Sequence, residues 1–517
     1  MAAVAAAGGP AAPAVTVPNK GLITVSIMLA TVMQVLDTTI ANVALPNMQG
    51  SLGAAQDQIT WVLTSYIVAA AIMTPVTGWL SDRIGLRQLF IVSTAGFVVA
   101  SMACGLASSL PEMIAFRVLQ GLFGAALVPL SQTVLLDINT REEHGQAMAI
   151  WGAGIMVGPI IGPVLGSWLT ETFGWRYVFF VNLPVGILAL AGLMAFLPES
   201  PRRQRGFDVF GFAMLSIAVG ALQLMLDRGE QVDWFSSAET WIYLGLLVSG
   251  AWAFLLHITS GREHPFMEPA MFRDPNFVTA LVMIFMVGMI LLAGLALLPP
   301  MLQNLYGYPV ITTGMVLAPR GVGTMISMIV VGRLVGRVDA RILIFTGLSL
   351  TALSLWQMAA FSPQMDWRPL VVSGVVQGLG LGLVFVPLST LAFATLAPRF
   401  RAEAASLFSL VRNIGSSVGI SIVSVELSHN LVAARTDLVS GLTAQNPNLD
   451  AYFAAAGHSE TAIAQLDAMV QAQAAMVAYV DDFMLMFWLT LASVPLIFLL
   501  RKPGGPAVAG APAPAME

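Results

Sequence analysis

Apolar residues run along this chain in long blocks, and polar residues fall almost only between the blocks. A helix needs about 20 apolar residues to cross the hydrocarbon core of a bilayer. Blocks of that size lie at 21–45, 58–80, 88–109, 111–136, 145–169, 175–197, 207–226, 240–260, 276–301, 310–335, 341–361, 369–396, 403–427 and 481–500, which predicts fourteen transmembrane helices and an all-α polytopic membrane protein. Residues 1–20 and 503–517 are Ala/Pro/Gly tails too poor in core residues to fold, and they are expected to be disordered. The first block is too long for a signal peptide and lacks a small-residue cleavage site after it, so it reads as a retained helix.

Composition removes the soluble alternatives. Of 517 residues, 57% are hydrophobic and 10% charged, against about 25% charged in a soluble domain; the mean hydropathy is +0.82. The net charge of −5 and the lack of any basic stretch exclude a nucleic-acid partner. Cys104, the sole cysteine, can form no disulfide within the chain.

The basic residues orient the spans. With the N-terminus cytoplasmic, sixteen of the 23 fall on cytoplasmic segments, four outside, and three (Arg117, Arg320, Arg412) within spans. Positive charge concentrates on the cytoplasmic side, so both termini are expected there. One outer loop is long, from about 428 to 480. Ile463, Leu466, Val470, Val477 and Val480 recur in it at helical spacing and extend the last helix outward. Two readings stand for this loop: a solvated amphipathic helix, or a docking surface for a periplasmic partner.

The chain repeats itself. Gly78-Trp-Leu-Ser-Asp-Arg-Ile-Gly-Leu-Arg87 joins spans two and three, and Gly332-Arg-Leu-Val-Gly-Arg-Val-Asp-Ala-Arg341 joins spans ten and eleven, at an offset of 254 residues. Gln120-Gly121 in span four has its counterpart in Gln377-Gly378 in span twelve. The matches predict two six-helix halves, at 21–200 and 266–502, separated by a linker at 201–265 that carries two extra spans. Paired halves enclosing a site are the architecture of secondary transporters.

Charges inside spans are expensive and mark function by default. Asp37 reads as the one acid deep in a span, and Arg117 in span four is expected at similar depth. Arginine keeps its proton in practice, so Asp37 is the member of the pair that can load and release one. A purely structural ion pair is the other reading. In the loop after span two, Gly78 and Gly85 permit close approach, while Asp82, Arg83 and Arg87 form a candidate latch; ordinary positive-inside charge is the plainer reading. Span five carries Gly154, Gly158, Pro159, Gly162, Pro163 and Gly166, a small-residue face for tight packing that prolines can bend. Gln34, Asn42, Gln120, Gln132, Arg320, Arg412 and Asn413 are candidates for lining a substrate cavity, or are structural polar residues. Methionine and phenylalanine supply apolar lining suited to varied ligands.

Other chemistries lack their residues. There is no GxxxxGK[ST] loop for an ATPase, no HExxH metal motif, no GxSxG elbow, and the glycines at 378, 380 and 382 lie within a span. No cofactor or metal is expected, and no enzymatic activity. No ion-filter pattern is visible.

In combination these motifs resemble a known group. Gly78–Arg87, Arg117-x-x-Gln-Gly121 and Gly158-Pro159-x-x-Gly162 look like the hallmark motifs of major facilitator drug exporters, the last associated with antiporters. Leu36-Asp37-x-Thr-Ile-Ala-Asn-Val-Ala-Leu-Pro46 and Trp175-Arg-Tyr-Val-Phe-Phe-Val-Asn-Leu-Pro184 resemble the fourteen-helix drug:proton antiporter subfamily, and the segment at 227–237 its EmrB branch. The resemblance implies a major facilitator fold and proton-driven multidrug efflux across the bacterial inner membrane. It assigns proton coupling to Asp37 with help from Arg117. As partners it implies an EmrA-like membrane-fusion adaptor, near the long loop, and a TolC-like outer-membrane channel. Related exporters of organic dications carry extra acids in span thirteen, where this chain has Arg412; that favours lipophilic neutral or weakly acidic compounds. Pro163 stands where many relatives have glycine. A dedicated metabolite or siderophore exporter is the alternative, and a non-transporting scaffold or sensor is a third reading.

Overall fold

The computed structural model describes residues 18–501 apart from 141, 201, 203–205, 261–264, 444–445 and 457–458. Residues 1–17 and 503–517 of the predicted tails lie outside the described residues, as do Arg141, Arg203, Arg205, Arg262 and Lys502 of the charge count. Among the described residues the protein is helical, with one isolated bridge between Val335 and Val338.

Thirteen helices are long and apolar enough to cross a bilayer, and one bent pair makes a fourteenth span. In chain order they are α1 (Lys20–Leu52), α2 (Trp61–Met73 with Val76–Ile84), α3 (Leu86–Leu106), α4 (Leu110–Ile138), α5 (His144–Thr172), α6 (Tyr177–Phe196), α7 (Val209–Arg228), α8 (Ala238–Thr259), α9 (Pro275–Leu305), α10 (Val310–Leu334), α11 (Ala340–Met358), α12 (Trp367–Ala394), α13 (Arg401–Ser440) and α14 (Glu460–Leu499). The 58° bend in α2 falls at Thr74–Pro75, where proline has no N–H to continue the ladder.

Most ends lie near those read from hydropathy. The large departure is the segment at 428–480. The last helix does extend outward as its helical spacing indicated, α14 beginning at Glu460, but α13 also runs on to Ser440, leaving 441–459 as the connection, with a short helix at Pro447–Ala456. Forty residues of α13 span about 60 Å, twice the hydrocarbon thickness. The two helices therefore project together as a hairpin, tied by Arg435 to Asp467 at 2.9 Å. Hydropathy marks only the lipid-facing part of a helix; an amphipathic continuation is invisible to it.

The repeat found in the sequence reappears as matched packing. A Cβ at Gly121 of α4 would lie 2.5 Å from the Tyr66 carbonyl of α2, and one at Gly378 of α12 would lie 2.9 Å from the Thr324 N–H of α10. Each half thus closes its second helix on its fourth through the glycine of Gln-Gly. Across the molecule, Gly78 of α2 abuts Glu403 at the start of α13, and Gly332 of α10 abuts Gln146 and Ala149 at the start of α5. Each half therefore docks its second helix on the other's fifth.

These contacts lie on one face. Lys20 to Glu143, Arg401 to Asp137, Glu268 N–H to Glu403, and Asn276 to Arg501 connect it from N-terminal to C-terminal end; both ends of the described chain emerge there. Between the halves, α7 packs on α2 and α13, with Gln223 and Ser417 exchanging bonds of 2.8 and 3.1 Å. Outside it, α8 packs mainly on α7 and leaves Trp241, Leu246, Trp252 and Leu255 exposed, as a lipid-facing helix must.

Candidate functional site

Asp37 sits in the middle of α1, and three donors from two other helices converge on it. Arg117 Nη1 donates to Oδ2 at 2.7 Å, and Gln120 Nε2 and Asn182 Nδ2 donate to Oδ1 at 2.9 and 2.7 Å. The relative exposures of Asp37 and Arg117 are 1% and 0%, and Gln120 and Asn182 are equally sealed. Arg117 is itself held from several sides. Its Nε donates to the Val62 carbonyl at 2.9 Å, its Nη1 also reaches Gln120 Oε1 at 2.7 Å, and its guanidinium lies 4.4 Å from the Tyr66 ring centroid. Asn182 is fixed by a 2.9 Å bond to Ser101 Oγ, which in turn donates to the Phe179 carbonyl.

The local sequence explains the convergence. Arg117 and Gln120 are three apart on α4, so they share a face. Gly121 then removes the side chain that would hold α4 away from α2, bringing Arg117 against Val62 and Tyr66. The glycines of α5 seat α1 in the same way. Gly154 faces Met28, Gly162 faces Thr39, and a Cβ at Gly158 would come within 2.7 Å of Val35 and 3.2 Å of the Leu36 N–H, one residue from Asp37. Pro159 and Pro163 lack N–H groups, and α5 is interrupted at Met156 just before them.

The structure therefore brings together Asp37, Arg117 and Gln120 from the sequence-derived set. Gln120 belongs to this buried cage rather than to an open cavity. Asn182 and Tyr66 escaped the sequence reading as individual residues; the one signal was the Trp175–Pro184 motif that contains Asn182. Asp37 is not the one buried acid among the described residues. Asp482 on α14 is fully buried, at the place where hydropathy started the last span, and Asp227, one residue before the end of α7, accepts a bond from Gln223.

The remaining candidates are dispersed. Arg87 donates to the Met194 carbonyl at 2.6 Å and lies 3.5 Å from Glu199, tying α3 to the end of α6. Arg83 stacks over Trp79, Asp82 is engaged as well, and Gly85 takes φ +95°, which suits only glycine. Gln34 is half-buried and Asn42 exposed. Gln132 is fully buried with neither amide atom bonded. Arg412 and Asn413 touch each other at 3.4 Å.

Arg320 has the more informative setting. The offset that relates the second helices puts it at the position of Tyr66, and the fourth-helix position matching Arg117 is Gly374. A Cβ at Gly374 would lie 3.5 Å from the Arg320 Cβ. Arg320 is buried, bonds the Leu291 carbonyl at 3.2 Å, and leaves Nη1 without a partner. Among the described residues no carboxylate pairs with it. The C-terminal half thus keeps a buried cation near the matching place and lacks the acid.

Residues 27–420 match the family model of the Major Facilitator Superfamily. The chain belongs to that superfamily. It is 36% identical to multidrug export protein EmrB of Escherichia coli K12 over 84% of this chain and 85% of that one. It is 33% identical to the EmrB of Haemophilus influenzae over 94% and 96%. It is 35% identical to fatty acid resistance protein FarB of Neisseria gonorrhoeae over 79% and 81%. Among solved structures, the human organic anion transporter MFSD10 aligns at a TM-score of 0.59 and 15% identity over 92% of this chain and all of that one. The proton:xylose symporter XylE aligns at 0.56 and 14% over 92% and 96%. Those two likenesses carry the fold alone. As a member of the superfamily the protein is a multi-span membrane transporter and not an enzyme.

Proposed function

We propose that the protein is a proton-driven multidrug efflux antiporter of the bacterial inner membrane, with both termini cytoplasmic. The observation that carries the reading is the sealed cage around Asp37. A carboxylate in hydrocarbon is tolerated there because Arg117 balances its charge and three donors fill its oxygens. Protonating Asp37 removes that balance and leaves one donor facing an O–H, which loosens α1 from α4 and α6. The glycine face of α5 moves with α1, and α5 runs along α10 of the other half. The proton state of Asp37 is thereby tied to the interface between the halves. A proton-motive force of roughly 150 mV is worth about 3.4 kcal/mol per proton, enough for about a 300-fold gradient of a neutral substrate.

The substrates are lipophilic neutral or weakly acidic compounds. Arg320, a buried cation with a free Nη1 and, among the described residues, no acid paired with it, favours an anionic head group over a cationic one. The fatty acid resistance named for FarB is in keeping with this. The projecting α13–α14 hairpin is the surface for a periplasmic membrane-fusion adaptor, which would hand substrate to a TolC-like outer-membrane channel. Exposed Val432, Val439, Ile463 and Met469 lie on it.

The test is proton release from energised everted vesicles on adding lipophilic drugs that are not themselves uncouplers. Drug-dependent flux in the wild type, lost in Asp37→Asn at equal expression, is expected. An unchanged flux in Asp37→Asn places proton coupling elsewhere. Absence of flux with every drug in both proteins sinks the multidrug reading.

A further inference from the structure

Asp482 presents a different problem from Asp37. It lies nineteen residues before Arg501 on the last helix, about 28 Å from the terminal face, and so near the opposite edge of the hydrocarbon. Its relative exposure is 0%, and neither carboxylate oxygen has a hydrogen-bond partner. Its helix neighbours Met476, Phe483 and Met486 belong to one buried apolar cluster with Val423 of α13 and Leu355 and Met358 of α11.

The charged groups that act on Asp482 share its sign: Glu426 of α13 and Asp481 beside it. Tyr479 lies on its own helix one turn away. Of the other elements packed on α14, α9 carries no titratable residue, and α11 carries only Arg341, at the far end. Tyr306, after α9, spends its hydroxyl on the Ser362 carbonyl. On α13, His429 lies one turn beyond Glu426 and is exposed; among the described residues no cation is hydrogen-bonded or ion-paired to Asp482.

An isolated ionised carboxylate in such a place costs many kcal/mol, and the group neutralises instead. We infer that Asp482 is a second proton-binding site, holding its proton in the conformation described here and exchanging it with the aqueous side through Glu426 and exposed Asp481. Glu426 is half-buried on α13 and Asp481 is exposed on α14, so both acids that act on Asp482 are more accessible than it is. The site is separate from the Asp37 cage and lies in the other half of the molecule. The inference rests on geometry of the resting protein and survives if the multidrug reading fails.

Infrared difference spectroscopy of the purified full-length protein in lipid nanodiscs, with no substrate, tests it directly. Wild type near neutral pH is expected to show the carbonyl stretch of a protonated carboxyl, shifted down in heavy water. Asp482→Asn should lose that band, Asp37→Asn should keep it, and Asp482→Glu should move it. Asparagine mimics the neutral acid, so Asp482→Asn is also expected to keep the wild-type melting temperature. A wild type without the band, a band that persists in Asp482→Asn, or one that ignores heavy water overturns the inference. Loss of the band in Asp37→Asn alone would transfer the proton to the first cage and overturn it equally.

Discussion

At the scale of single residues, the Asp37 cage separates charge balance from hydrogen bonding. Arg117→Ala leaves a buried carboxylate without its cation, a change that costs about 3–5 kcal/mol in comparable buried pairs. Asn182→Leu removes one donor of three and leaves Ser101 short of a partner, which costs about 1–3 kcal/mol. The expected order of melting temperatures in detergent is therefore wild type, then Asn182→Leu, then Arg117→Ala. Equal melting of all three would mean that the cage contributes nothing to the fold. The double variant Asp37→Asn/Arg117→Ala should recover part of the loss, because the penalty lies in the unpaired charge. Asp37 and Arg117 were legible in the sequence because a charge in an apolar run is conspicuous. Asn182 was not, since an uncharged amide at a helix start has many ordinary reasons to be there. Asp482 was hidden for another reason: its helix starts well before its apolar run does.

Elements carry the next set of consequences. The small-residue face of α5 was read from spacing alone, and it does seat α1; which helix it would seat was not in the pattern. A side chain at Gly158 has no room beside Val35 and the backbone at Leu36. Gly158→Val is thus expected to displace α1 and abolish substrate-driven proton flux while Gly50→Ala, at a position with nothing within 4 Å, leaves it intact. Loss in both variants would remove the helix-packing explanation. The extra pair has its own anchor. Asp208 caps α7 through the Gly211 N–H at 2.9 Å and also receives the Phe266 N–H at 3.0 Å and His257 Nε2 at 2.8 Å. Burial works against its charge, but these donors outweigh it and hold the carboxyl below its ordinary value. A depressed carboxylate stabilises the fold fully above the unfolded value, about 3.9, and loses that contribution as pH falls through the folded one. Wild type should therefore lose melting temperature on acidification more steeply than Asp208→Asn; parallel curves would discount the anchor. Of the hairpin of α13 and α14, the outward run of α13 is the part the sequence reading missed. Its deletion over 432–475 is expected to spare proton flux in vesicles and remove drug resistance in cells, where export must continue past the inner membrane. Retained resistance would rule out the hairpin as an adaptor surface.

For the whole molecule, the repeat visible in the sequence predicts more than two similar halves. Its glycine-marked ends turn out to be the places where each half rests on the other, and those rests lie on the face where both ends of the described chain emerge. Alternating access requires that this face open and close while the site between the halves stays in place. The contact of Thr77 Oγ with Ser406 Oγ at 2.6 Å bridges α2 and α13 there. Two cysteines in those positions have their side-chain ends close enough for a disulfide. The protein supplies a nearly clean background, since Cys104 is buried in the N-terminal half and is the sole native cysteine. Thr77→Cys/Ser406→Cys with Cys104→Ala is expected to transport when reduced, to stop when oxidised, and to recover on adding reductant, with each single cysteine indifferent to both. A disulfide that forms fully and leaves transport running would mean that this face never opens during the cycle, and that the halves move about some other contact. A disulfide that fails to form under oxidation would mean that the closed face is scarcely populated in the membrane. The reversible arrest, if found, makes the paired glycine ends moving seals rather than fixed joints, which a repeat of packing motifs in the sequence cannot by itself distinguish.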